Sequence, residues 1–151
     1  MSGTGGRTVE RAIDIRAPAT WLFDLTQDYT RRLDWDPFLS KAELYGEHAD
    51  VGVRAWCVSK VPPWGMETEY VTFQRPKVVA IKMTKGPPIL RMFAGSWRFD
   101  EHDGVTTVRF KYRFETRPAL LAPVAERAFK WDTKKRLAGL RDYAHRHAPR
   151  T

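Results

Sequence analysis

The sequence predicts an α+β fold in which a curved, seven-stranded antiparallel sheet grips a long C-terminal helix, with two short helices after the first strand. Two observations predict it. Residues 118–146 have helical periodicity with a single apolar face, and the segments before them are nearly all strand-like and separated by turn sequences. A helix with one apolar face must bury it, and the inside of a curved sheet is its natural partner.

The long helix is predicted over residues 118–146, with Pro123 in its first turn. At about 100° per residue, its apolar side chains share one broad arc and its cations crowd the other side. The apolar set is Leu121, Ala125, Phe129, Leu137, Leu140, Tyr143 and Ala144, and the cationic set is Arg127, Lys130, Lys134, Lys135 and Arg141.

Seven strands are predicted, joined mostly by short connections that favour an antiparallel meander. Residues 8–15 form the first strand, and a break at Ala17-Pro18 leads into two short helices, residues 18–25 and 30–34. The other strands are residues 38–45, 52–60, 66–74, 77–85, 89–99 and 105–117.

Alternation along the last three strands predicts which side chains face the helix. The inward set is Val79, Ile81, Met83, Phe93, Trp97, Phe99, Val108, Phe110, Tyr112 and Phe114, and its neighbours include five cations. Strands 52–60 and 66–74 do not alternate cleanly, so their inward face stays open. A curled sheet around a helix leaves space that side chains cannot all fill, so we expect a gap between them.

Length and composition fit one domain, predicted over residues 8–147, with a disordered tail at 1–7 and a short tail at 148–151. A single cysteine, Cys57, excludes an intrachain disulfide and a thiolate metal site, so we expect a reducing, cytoplasmic setting. The four histidines lack ligand spacing and no phosphate-binding loop occurs, so neither a metal nor a cofactor is expected.

The net charge is +8, from 26 Lys and Arg against 18 Asp and Glu. The cations are spread along strand faces and the back of the helix, which is typical of a solvated outer face rather than a nucleic-acid site. No nucleic-acid partner is therefore expected. Weak contact with an anionic membrane surface and the oligomeric state are left open.

Several motifs resemble one known superfamily. They are the Ala-Pro break before a helix with Trp21 and Phe23, the run Trp-Asp-Pro-Phe at 35–38, the run Gly-Ser-Trp-Arg-Phe at 95–99, the turn at 103–107 and the long terminal helix. Together they resemble the START-like helix-grip superfamily (SRPBCC), nearest its polyketide cyclase/dehydrase and lipid-transport group. The resemblance implies a hydrophobic cavity between sheet and helix, which relatives use for lipids, sterols, quinones, plant hormones or polyketide intermediates. Residues 45–52 depart from the Gly-rich loop of plant members.

Two Pro-Pro loops, residues 61–66 and 86–90, fall at the same end of the predicted meander. In the resemblance, that end is where the cavity opens. Trp64, Met66 and Ile89 would be poorly suited to solvent, so we predict that these loops gate the cavity mouth. The alternative is stiff loops whose apolar residues pack locally.

A hydrophobic small molecule is the predicted partner. The predicted ligand-binding residues are Trp64, Met66, Val79, Ile81, Met83, Phe93, Trp97, Phe99, Phe110, Tyr112, Phe114, Phe129, Thr133 and Leu137. The candidate catalytic residues are Tyr112, Arg136 and Asp132, joined by Glu67 and Glu69 if their strand turns them inward. The alternative for Asp132 and Arg136 is an ion pair at i, i+4 spacing on the edge of the helix.

Three functions remain open from the sequence. The first is binding or transport of a lipid-like or polycyclic molecule, which needs only a cavity. The second is a polyketide cyclase or aromatase, which also needs polar groups converging inside the cavity. The third, and the least favoured, is a partner-interaction module that uses the basic surface.

Overall fold

The computed structural model describes residues 6–60 and 62–149. Its elements are β1 (Arg7–Ile15), α1 (Ala19–Gln27), α2 (Arg32–Trp35), β2 (Leu39–Leu44), β3 (Arg54–Ser59), β4 (Gly65–Gln74), β5 (Val78–Lys85), β6 (Leu90–His102), β7 (Val105–Thr116), a 3₁₀ turn (Ala119–Leu121) and α3 (Ala122–His147). The predicted α+β architecture is confirmed. Most of the predicted tail at 1–7 and the end of the tail at 148–151 lie outside the described residues, while Arg7 already belongs to β1.

The seven strands form one antiparallel sheet in the order β1-β7-β6-β5-β4-β3-β2. Strands β2 to β7 pair in sequence order as a meander, and β1 completes the sheet by pairing with β7, for example Ile13 with Val108. The curled sheet covers one side of α3, which also packs on α2. The sheet and the helix thus form the two walls of the interior.

The connection between β6 and β7 is shorter than the break predicted at residues 100–104. Strand β6 continues to His102, which pairs with Val105, and the turn consists of Asp103 and Gly104 alone. Both turn residues have positive φ, 52° and 80°, which matches the right-handed twist of the flanking strands in a two-residue hairpin. Polar composition suggested a loop, whereas these exposed residues extend the ladder.

The inward set predicted for β5, β6 and β7 lies on the inner face. Eight of its ten side chains are buried, Ile81 and Met83 are half-buried, and the intervening Arg98, Arg109 and Lys111 are exposed. The aromatic side chains pack on one another, with ring centroids 4.3 Å apart for Trp97 and Phe110. The alternating pattern therefore predicted this face correctly.

The inner face of β4, which the pattern left open, does not alternate regularly because its pairing with β5 shifts register at two places. The register shifts between Tyr70 and Thr72, so Tyr70 and Phe73 both pack on the core although they are three residues apart. Glu67 and Glu69 both pair with Arg54 of β3, and neither lines the cavity. Glu67 and Glu69 are therefore not part of the candidate site, since β4 does not direct their side chains into the cavity.

Helix α3 is buried unevenly along its length. Its C-terminal half buries Leu137, Leu140, Tyr143 and Ala144, while Ala125 and Phe129 in the N-terminal half are only half-buried. The start of the predicted helix is a 3₁₀ turn, and α3 itself begins at Ala122. One end of the interior is thus packed and the other is not.

Candidate functional site

A cavity of about 460 Å³ lies between the sheet and the N-terminal half of α3. Strands β3 to β7 form one wall, α3 forms the other, and residues around α1 and α2 close the inner end. Eleven of the predicted site residues line it: Trp64, Met66, Val79, Ile81, Phe93, Trp97, Phe110, Tyr112, Phe129, Asp132 and Arg136. The lining is predominantly apolar and aromatic, as in binding sites for small organic molecules.

Five predicted ligand-binding residues do not line this cavity. Phe99 and Leu137 belong to the packed core, where Phe99 meets Phe23, and Phe114 is covered by Phe129 with ring centroids 4.7 Å apart. Thr133 is buried and hydrogen-bonded to Tyr112, and Met83 is half-buried beside Gly86. Alternation along a strand and periodicity along a helix identify the face on which a residue lies, and not how far along the sheet or the helix the cavity extends.

Several lining residues were not predicted, notably Gln27, Tyr29, Arg32, Cys57 and Thr68. Cys57 and Thr68 come from the two strands whose faces were open. The others come from the segment around α1 and α2, for which no ligand contact is predicted from the sequence. One sequence signal was available, namely an arginine four residues before the aspartate of the Trp-Asp-Pro-Phe run.

The innermost part of the site is a buried cluster of two arginines and one aspartate. The Asp36 carboxylate accepts hydrogen bonds from Arg32 Nε at 2.9 Å and Arg136 Nε at 3.0 Å, both to Oδ2. Its Oδ1 accepts the Phe38 backbone N–H at 2.9 Å. All three side chains are nearly inaccessible to solvent. Burial alone would raise the pKa of Asp36, but the two guanidiniums and this N–H outweigh it and lower the pKa.

This cluster carries one more positive charge than negative charge. Both arginines line the cavity, and among the described residues Asp36 is the one carboxylate within ion-pair distance of either. The alternative ion pair between Asp132 and Arg136 is therefore wrong, because Arg136 turns inward to Asp36. An uncompensated cation at the wall of an apolar cavity is a binding feature for an anion, an enolate or a carbonyl oxygen.

Asp132 lies one turn before Arg136 on the cavity wall and is half-buried. Burial raises the pKa of its carboxyl group, the charge of Arg136 opposes this, and the charge of Asp36 adds to it. Among the described residues, no cation is within 4 Å of this carboxylate. Asp132 is thus a titratable group with a perturbed pKa that faces the cavity.

Tyr112 faces Thr133 across the sheet–helix interface. Its hydroxyl is 2.6 Å from Thr133 Oγ1, which in turn donates to the Phe129 carbonyl at 2.7 Å. Because the Thr133 proton is used in that bond, Tyr112 is the donor to Thr133. Burial raises the pKa of Tyr112, against the charge of Arg136. Tyr112 therefore links the sheet to the helical wall of the site, and its hydroxyl proton is already used in the hydrogen bond to Thr133.

A second hydrogen-bonded group separates the cavity from the outside. Tyr70 donates to Gln27 Oε1 at 2.7 Å and lies 3.3 Å from the Tyr29 hydroxyl. Gln27 and Tyr29 also line an open cleft of about 730 Å³ on the outer surface, beside α1 and β2. That cleft is larger, but the buried charges described above lie in the inner cavity, so the inner cavity is the candidate site.

Both Pro-Pro loops border the cavity. Pro62, Trp64 and Met66 line it from one loop, and Pro87 and Ile89 line it from the other. The Ser59 hydroxyl anchors the first loop by donating to the Pro62 carbonyl. Val61 lies outside the described residues. The predicted gating movement remains a prediction.

Within residues 6–60 and 62–149, no three His, Cys, Asp or Glu side chains are grouped as a metal site would need. None of the helices described there is both long enough and apolar enough to cross a bilayer.

Solved structures share this architecture. The aromatase/cyclase Zhui from Streptomyces sp. R1128 superposes with a TM-score of 0.82 at 20% identity, over 93% of this chain and 94% of that one. Norcoclaurine synthase from Thalictrum flavum, in complex with dopamine and hydroxybenzaldehyde, gives 0.76 at 9% identity, over 98% and 91%. The di-domain aromatase/cyclase BexL gives 0.76 at 19% identity, covering 95% of this chain and 51% of BexL. At these identities, the likeness establishes the fold.

No curated protein matches the chain in sequence. A family model does match, over residues 6–145, and its description is polyketide cyclase/dehydrase and lipid transport. That range contains the whole sheet, both short helices and nearly all of α3. The chain therefore belongs to the polyketide cyclase/dehydrase and lipid-transport family.

Proposed function

We propose that the protein binds a hydrophobic, polycyclic or lipid-like small molecule in the inner cavity and orients it through an oxygen-bearing end. One observation carries the proposal: two buried guanidiniums that share one carboxylate lie at the wall of a predominantly apolar cavity. The apolar wall favours a hydrophobic body, and the excess positive charge favours a carbonyl, enolate or carboxylate oxygen at the inner end.

A second candidate function is a cyclase or aromatase reaction on the same ligand. The observation that favours it is Asp132, whose raised pKa and missing ion-pair partner suit a group that accepts a proton from carbon next to a carbonyl. Arg136 would stabilise the resulting enolate oxygen. Tyr112 would donate to a carbonyl only by breaking its bond to Thr133. The solved aromatase/cyclases with this fold support this candidate.

Occupancy of the cavity is tested with a matched pair of substitutions on β4. Thr68 lines the cavity, whereas Val71 on the same strand is exposed on the outside. Thr68→Trp should fill part of the cavity and weaken the binding of the fluorescent probe 1-anilinonaphthalene-8-sulfonate by at least about 10-fold, while Val71→Trp leaves it unchanged. Equal binding by the two variants would show that the probe binds elsewhere, and the proposal would fail.

The role of the excess charge is tested with Arg136→Met. This change leaves a balanced pair of Arg32 and Asp36, so the fold should survive. Affinity for the anionic probe should fall about 10-fold or more, since a hydrogen bond to a charged group contributes roughly 1.5–3 kcal/mol. Affinity for the neutral analogue N-phenyl-1-naphthylamine should not change. A parallel loss for both probes would mean that Arg136 shapes the cavity and does not bind an oxygen.

The cyclase candidate is tested separately. Native mass spectrometry of the freshly purified protein identifies any retained molecule, and a poly-β-ketone analogue is then followed for cyclisation. Asp132→Asn should abolish the reaction and retain binding of the analogue. Binding without turnover by the native protein would favour a carrier. In that case, the single cysteine and the cavity together support a cytoplasmic carrier of hydrophobic molecules.

A further inference from the structure

A row of exposed apolar side chains lies along the outside of the helical wall of the cavity. Leu120, Val124 and Trp131 are 75%, 67% and 58% exposed, and Trp64 of the first Pro-Pro loop is 46% exposed. Trp64, Val124 and Trp131 also line the cavity, so their positions mark its mouth. We call these four side chains the mouth patch. Large apolar side chains grouped at one place on a surface mark an interaction site.

Cations flank the mouth patch on α3. On a helical projection, Arg127, Lys134 and Lys135 lie within roughly 60° of Trp131. All three are exposed, and none pairs with a carboxylate among the residues the structure describes. Lys135 Nζ lies 4.6 Å from the centre of the Trp131 ring. The nearby Glu126 is already bound by Arg7 and Lys130. This face is therefore both apolar and cationic.

We propose that the mouth patch docks the protein on an anionic lipid bilayer, so that the cavity opens towards the membrane. Tryptophan and aliphatic side chains enter the interfacial region of a bilayer, while flanking Lys and Arg contact anionic headgroups. A bilayer fits better than a second copy of this chain, because a second copy would bring the same three unpaired cations against one another. The docking needs no bound ligand and goes beyond the proposed binding function.

The experiment uses flotation of the full chain, without added ligand, on vesicles of phosphatidylcholine with or without phosphatidylglycerol. Wild type should float with the anionic vesicles and dissociate from them as the salt concentration is raised. Trp131→Ser should abolish flotation, and Val51→Ser, which removes an equally exposed apolar side chain elsewhere, should not. Lys134→Glu should weaken binding at least about 10-fold, whereas Lys111→Glu on the outer face of the sheet should have little effect.

Two results would overturn the proposal. One is equal weakening by Lys134→Glu and Lys111→Glu, which would show that net charge alone attracts the protein. The other is no flotation of wild type on the anionic vesicles, and a dimer that Trp131→Ser converts to a monomer would then show that a second copy covers the patch. Leu120→Ser, which removes a mouth-patch side chain that does not line the cavity, should weaken flotation and leave probe binding in solution unchanged, so failed docking is distinguished from a failed cavity.

Discussion

Asp36 is the buried carboxylate on which two buried guanidiniums depend. Asp36→Asn would leave both arginines without an ionic partner in a nearly inaccessible place. Breaking a buried pair in this way costs about 3–5 kcal/mol, so the free energy of unfolding in urea should fall by that amount. Asp34→Asn, which changes an exposed carboxylate two residues away, is the control and should be near neutral. A loss below about 1 kcal/mol for Asp36→Asn would mean that water reaches the cluster.

The same carboxylate sets a pH dependence. Its pKa is lowered in the folded protein, so its contribution to stability is complete above the unfolded value, near 3.9, and is lost as the pH falls through the folded value. Stability should therefore decline more steeply below about pH 4 in wild type than in Asp36→Asn. Parallel acid-unfolding curves for the two proteins would contradict the assignment.

The pKa of Asp132 is shifted in the opposite direction, so its effect on the pH dependence of stability has the opposite sign. Because its pKa is raised in the folded protein, its ionised form disfavours folding at neutral pH, and this cost disappears as the pH falls through the raised value. Asp132→Asn should thus leave the free energy of unfolding at pH 7 unchanged or slightly higher, and the advantage over wild type should shrink in acid. Urea unfolding at several pH values measures this. A clear loss of stability at pH 7 would show that Asp132 is structural.

Asp132 and Arg136 show how far the positions of single residues could be predicted from the sequence. The helical pattern placed Asp132 and Arg136 on the wall of an interior, and the structure places both on the cavity. It also suggested that they pair, because spacing along one helix is all that a sequence displays. The actual partner of Arg136 is 100 residues away, and only the folded chain brings it near.

At the scale of elements, a glycine sets how closely α3 approaches the α2 region. A Cβ at Gly139 would collide with the Trp35 carbonyl oxygen and come within 3.1 Å of Pro37 Cδ. Gly139→Ala should therefore destabilise the protein by about 1–3 kcal/mol, although alanine favours a helix by roughly 1 kcal/mol. Lys134→Ala, on the exposed face, is the control. Thermal unfolding measures both, and a stabilised Gly139→Ala protein would show that α3 can move away at little cost.

Element boundaries were predictable where sequence pattern and burial coincide, and not elsewhere. The meander, the inner face of β5 to β7 and the long helix follow from alternation and periodicity. The bulge at Tyr70 and Thr72 breaks the period of β4, so its face could not be chosen. The end of β6 was missed because exposed polar residues at the tip of a hairpin resemble a loop until their partners in β7 are known.

At the scale of the whole molecule, stability and the candidate site are separated along α3. The C-terminal half of the helix fills the interior with Leu137, Leu140 and Ala144, whereas the N-terminal half borders the cavity and the mouth patch. The unfilled end is where the proposed ligand would bind. The family predicted from the sequence motifs is confirmed, but the extent of the cavity depends on how the sheet curls, which no local pattern records.

This division predicts that the N-terminal half of α3 opens locally to solvent more readily than the C-terminal half. Amide hydrogens of residues 125–132 should exchange with solvent faster than those of residues 137–144, because fewer buried apolar contacts oppose local opening there. A saturating hydrophobic probe should slow exchange in the first segment and leave the second unchanged, since the probe binds the folded cavity wall. Mass-spectrometric exchange with and without 1-anilinonaphthalene-8-sulfonate measures this, and Thr68→Trp should remove the protection. Uniform slowing along α3 would instead indicate global stabilisation by a probe bound outside the cavity.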